Sequence, residues 1–86
     1  MKVTRQTVAE MLTAHLQGRV TQASLVDWAE RAMMDSEFDS RDLALLSEVV
    51  GRIGLADVAE FGLRWQDCEE LLGKLGFRAR IEVQAA

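Results

Sequence analysis

The chain is 86 residues long, 49% hydrophobic and 28% charged, with a formal net charge of −4. That is the composition of one globular domain rather than a disordered segment, and so short a domain buries only about 60–65% of its unfolded surface. A single cysteine excludes an internal disulfide and a cysteine-based zinc site, and no apolar run approaches the length of a membrane span. The opening MKVTRQTVAEM also lacks the apolar stretch of a signal peptide, so a soluble cytoplasmic protein is expected.

Four helices are predicted, each preceded by an apolar residue spaced to staple onto the first turn. The first runs from Arg5 to Gln17 behind a Thr4 cap, with Val3 and Val8 as the staple. Its apolar stripe is Val8, Met11, Leu12, His15 and Leu16, and Gly18 stops it. The second runs from Gln22 to Met34 behind Thr21, with Leu25, Trp28, Ala29, Ala32 and Met33 inward. The third runs from Ser40 to Ile53 behind Asp39, with Leu43, Leu46, Val49, Val50 and Ile53 inward and Gly54 as its C-cap. A short helical turn is expected over about 56–61. The fourth runs from Trp65 to Leu75 behind Arg64, a poor cap, with Cys68, Leu71, Leu72 and Leu75 inward and Gly76 ending it.

A strand is expected at the end. Phe77, Ala79, Ile81 and Val83 alternate with Arg78, Arg80, Glu82 and Gln84, the period-two pattern of a half-buried strand. Candidate neighbours are the FGL piece near residue 61, the MKV at the start, or the same strand of a second molecule. The first two are short, so a homodimer is expected, paired through Phe77, Arg78, Arg80, Ile81 and Val83 or through a helix face. The alternative is a solvent-facing extended tail. The fold class is thus mainly α: a four-helix bundle over 4–75, one extra turn and a C-terminal strand over 77–84, all in a single domain, 1–86.

Charge is unevenly spread. Residues 1–34 carry four basic and three acidic groups, residues 35–70 three and ten, and residues 71–86 three and one. The middle stretch therefore has a balance of −7, which disfavours phosphate contacts and suits a basic protein partner or a plain solvated helix face. The acids singled out for partner contact are Asp35, Glu37, Asp39 and Asp42. Trp65, beside Arg64, is a candidate anchor with the composition of an interface hot spot, or else a cover for the bundle end.

No catalytic or metal motif stands out. DSEFDSRDLALL places Asp35, Glu37 and Asp39 at the first calcium-loop positions, but Ser40 replaces the turn glycine and Leu46 the bidentate glutamate. Asp39 and Asp42 read better as a cap and a first-turn acid. His15 is the one histidine and Cys68 lies on an inward face, so both read as structural. There is no glycine-rich phosphate loop and no nucleophile elbow. A non-enzymatic protein without cofactor or metal is expected. Helices one and two with the turn GRVT have the outline of a helix-turn-helix, but Asp27 and Glu30 on the exposed side of the second helix repel phosphates, so nucleic-acid binding is not expected.

The stretch LTAHLQGRVTQASLVDWAERAM, residues 12–33, resembles the opening hairpin of several small bacterial helical families. The resemblance rests on Gly18, Val20, Thr21 and Trp28: a helix stop, a staple, a cap and a core aromatic. Some of these families are similar to the colicin D type of immunity protein, a small acidic helical bundle that blocks a nuclease toxin. The resemblance implies an immunity or antitoxin role and carries over no inhibitory residue. The expected function is a small acidic protein-interaction module.

Overall fold

The computed structural model describes residues 2–35, 37–58 and 62–79. In chain order these residues form β1 (Lys2–Val3), α1 (Arg5–Leu16), α2 (Gln22–Asp35), β2 (Glu37–Phe38), a 3₁₀ turn (Ser40–Asp42), α3 (Leu43–Gly54) and α4 (Trp65–Lys74). The fold is mainly α, with four helices and a small parallel two-stranded sheet among the described residues.

The helix starts follow the caps. Thr4 accepts the amide of Thr7 at 3.2 Å, and Thr21 accepts that of Ser24 at 3.1 Å. Each fills one orphan donor of a first turn. Val3 and Val8 are both fully buried, as a staple requires. At α4 the roles reverse. Arg64 has no oxygen to offer, and Asp67 three residues on accepts the Arg64 amide at 2.9 Å.

The helix ends at Gly18 and Gly76 are built alike. Their φ values are +76° and +93°. The amide of Gly18 reaches His15 O and that of Arg19 reaches Ala14 O, while those of Gly76 and Phe77 reach Gly73 O and Leu72 O. This double closure is the Schellman motif, which needs a left-handed residue at its centre.

One continuous core joins all four helices. Leu12 from α1, Leu25 and Ala29 from α2, Leu46 and Ile53 from α3, and Cys68 from α4 each have about 1% exposure or less. The most extensive helix contact is α2 with α3. Trp28 is buried in this core, as its place in the stripe predicts.

Several expectations are corrected. The third helix does not begin at Ser40: Asp39 caps a 3₁₀ turn, and α3 starts at Leu43. Leu43, the first residue of α3, falls outside the core at the end of its stripe, and Met33, expected inward, is also exposed, in the last turn of α2. Gly54 lies inside α3, with Leu55 as its C-cap. Residues 55–58 form a hydrogen-bonded turn rather than a helix, with the Val58 amide on Leu55 O at 3.0 Å. Residues 59–61 lie outside the described part.

The opening MKV does form a strand, but its neighbour is β2. Lys2 pairs with Glu37 and Val3 with Phe38 in parallel, and the Asp39 amide extends the ladder to Val3 O at 2.9 Å. A parallel pair needs a crossover, and α1 and α2 supply it. At the other end, residues 77–79 belong to neither strand nor helix. The Phe77 amide is spent on the α4 cap, so it cannot open a ladder. The rest of the expected strand, including Arg80, Ile81 and Val83, lies outside the described residues.

Candidate functional site

The four acids read as a contact patch sit on or beside the α2–α3 connection, and their environments differ. Asp39 is 8% exposed and committed to the fold. It accepts the Arg41 amide at 3.1 Å, and its other oxygen lies 3.3 Å from the Arg41 guanidinium. The Arg41 side-chain hydrogen bond, helped by the Arg41 amide, holds the carboxyl below its ordinary value, against the opposing effect of burial. Asp42 is bridged by Arg5 from α1 at 2.9 Å. Glu37 is exposed on β2 and Asp35 is the last residue of α2. The connection is thus part clamp, part open surface.

Next to these acids is a feature that periodicity hides. Met33, Met34 and Leu43 are 49%, 80% and 54% exposed. Met33 and Met34 are in the last turn of α2 and Leu43 is the first residue of α3. These helices are joined by a short connection and packed together, so the three side chains belong to one end of the molecule. Asp27, Glu30 and Met34 follow the i, i+3, i+7 spacing of one helix face, and the two acids are exposed on α2. An acidic strip therefore leads to an apolar tip.

Trp65 is elsewhere. The Arg5 guanidinium that holds Asp42 also lies 3.4 Å from Leu75 O, just past α4. Trp65 is at the opposite end of α4, about 14 Å away at 1.5 Å rise per residue. It lines a groove of about 540 Å³ between α1 and α4, together with Ala9, Leu16, Leu72, Phe77 and Ala79. Gln6, Glu10, Thr13, Gln17, Arg19 and Arg78 make its polar margin. The structure therefore separates Trp65 from the acids with which the sequence grouped it. A second hollow of about 440 Å³ is lined mostly by polar groups, among them Gln22, Arg52, Arg64 and Asp67.

His15 lines neither hollow. It is half-buried, with Nδ1 3.2 Å from Val20 O, where it ties the end of α1 to the next turn. Cys68 is buried, and burial, reinforced by the nearby Asp67 charge, pushes its thiol pKa up. That is the opposite of what a nucleophilic thiol requires. Gln22, the first residue of α2, is half-buried and donates to Ala56 O at 2.9 Å. Among the described residues no three potential ligands converge on a metal position, and no helix is long and apolar enough to cross a membrane. Comparisons with protein-family models, with curated proteins and with solved structures gave no match.

Proposed function

We propose that this chain is a non-enzymatic protein-interaction module that meets a basic partner through the α2–α3 end. The observation that carries this reading is the exposure of Met33, Met34 and Leu43 beside Glu37 and the Asp27–Glu30 strip. Methionine is flexible and polarizable, and it adapts to the shape of a partner surface. The surrounding acids add long-range attraction for a cationic surface and speed its approach. Asp39 and Asp42 act differently: by clamping the connection they hold Glu37 and Leu43 in place. A toxin of the nuclease class is one such basic partner, in line with the hairpin resemblance and the −7 balance of residues 35–70.

The test is kinetic. With the partner recovered on the tagged chain and purified, the association rate is measured for wild type and for Glu30→Lys/Glu37→Lys. The reversal is expected to slow association about tenfold at low salt, with the gap narrowing as salt rises. Equal rates at every salt concentration would remove this reading.

The second reading is a homodimer. The same exposed apolar side chains favour it, because a second copy seated on them would remove them from water. Light scattering separates the two. A homodimer through this end predicts twice the chain mass for wild type and the single-chain mass for Met34→Asp.

A further inference from the structure

We propose that Met33 and Met34 form a site of reversible oxidation, at which a hydroperoxide turns the thioethers into sulfoxides and the apolar tip into a polar one. The loss of partner binding that follows rests on the reading of this tip as a partner surface; the modification itself does not. Met34 is the most exposed large apolar side chain among the described residues, at 80%, and Met33 beside it is 49% exposed. Met11, by contrast, is half-buried and packs against the core. Cys68 is 1% exposed, and burial favours its unreactive thiol form. Oxidisable sulfur within reach of solvent is thus concentrated, among the described residues, at the end of α2.

The surroundings select the oxidant. Glu37 on β2 and Asp27 and Glu30 on α2 are exposed, and they disfavour an anionic reagent. Hydrogen peroxide is uncharged at neutral pH and is not repelled. The thioether sulfur attacks one peroxide oxygen. The S–O bond forms as the O–O bond breaks, sulfur gives up an electron pair, and the departing oxygen leaves as water after taking the proton of the transferred one. A thioether needs no deprotonation, so the step requires neither a neighbouring base nor a metal. Neither methionine belongs to the buried core, and Ala32, fully buried just before them, anchors the last turn of α2 without their sulfur atoms. The sulfoxide oxygens are therefore hydrated in the free chain and the fold stays intact. A partner seated on the tip would have to bury them, which costs affinity unless it supplies donors. Methionine sulfoxide reductases reverse the change. A bound partner, in turn, shields the sulfur atoms.

The test exposes the folded chain to limiting hydrogen peroxide, removes the peroxide and maps the tryptic peptides by mass. Met33 and Met34 share the peptide 32–41, where fragment spectra separate them, and Met11 lies in 6–19. Met34 is expected to react first, Met33 next and Met11 about tenfold more slowly than Met34, with the rates converging in urea. The product should melt as cooperatively as the untreated chain and return to its original mass with the reductases. Met11 reacting as fast as Met34 in the folded chain, a fold lost on oxidation of Met33 and Met34 alone, or sulfoxides that resist the reductases would overturn the proposal. The basic protein purified for the association measurement then reads the switch. Treated wild type is expected to bind it about tenfold more weakly. Met33→Leu/Met34→Leu, whatever its own affinity, should give the same value before and after peroxide. Failure of the partner reading is distinct: Glu30→Lys/Glu37→Lys would leave association unchanged, and the oxidation map alone would then decide the site. Where that reversal does slow association, an undiminished affinity of oxidised wild type overturns the switch.

Discussion

Asp39 carried two readings in the sequence, a helix cap and a partner contact, and the structure shows the cap. An acid in an acidic stretch looks like surface charge, yet this one is 8% exposed and binds both the amide and the guanidinium of Arg41. Its carboxyl pKa is lowered, chiefly by the Arg41 side-chain hydrogen bond. A depressed folded-state value means the carboxylate stabilises the fold fully above about pH 4 and stops doing so as pH falls through that depressed value. Asn caps about as well as Asp but carries no charge. Wild type is therefore expected to resist urea better than Asp39→Asn at pH 7, with the gap closing as pH drops to about 2. A gap that stays constant across that range would show that the charge contributes nothing. Asp42 is the first-turn acid that the sequence suggested, but its partner was not legible there. Arg5, which pairs with Asp42, is 37 positions away, and only the folded chain brings it there.

At the scale of elements, caps and stripes carried most of the information. Thr4, Thr21, Gly18 and Gly76 mark helix ends because side-chain oxygens and left-handed glycines act locally, within three or four residues. The two Schellman glycines should therefore be costly to replace. Gly18→Ala is expected to lose about 1–2 kcal/mol from backbone strain alone, because nothing lies near the added methyl. Gly76→Ala should lose a similar amount, with Arg5 displaced as well. Gly73→Ala is the contrasting case. Its methyl also meets open space, but the residue is inside α4 at an ordinary helical angle, so a gain of about 0.5–1 kcal/mol is expected. Thermal melts of the three variants check the order, and a stabilising Gly18→Ala would contradict the cap assignment.

What was not legible at this scale has a common cause. The strands β1 and β2 are two residues each, too short for any period, and their pairing depends on a crossover through α1 and α2. The 3₁₀ turn delays α3 by three residues, a shift invisible in a stripe that reads equally well from Ser40. Leu43 becomes the first residue of α3, at the end of the stripe, and is exposed. Met33 fits the stripe of α2 by spacing, but the stripe does not reveal that its partner surface ends one turn earlier. The exposed apolar tip thus arises from two boundary effects that periodicity averages away.

At the scale of the molecule, the acidic middle of the chain does not become one acidic face. Arg5 and Lys74, from outside that stretch, neutralise Asp42 and Glu48, and Arg52 approaches Asp67 at 3.9 Å. These exposed pairs contribute little stability each, but they decide where charge remains. Exposed acids remain at Glu37 in the α2–α3 connection and at Asp27 and Glu30 on α2, and also at Asp57 and at Glu69 and Glu70 on α4. The groove with Trp65 lies along α1 and α4, away from that tip, so the two surfaces can act independently. The tip is the surface proposed to bind a partner. Site-specific photocrosslinking in cells that make the protein tests it most directly, with the photoreactive side chain placed at position 34 or 43 and, as a control, at the exposed position 73 on α4. Discrete adducts with one basic protein from positions 34 and 43, and none from 73, are the predicted result. Adducts from all three positions alike, or from 73 alone, would contradict it.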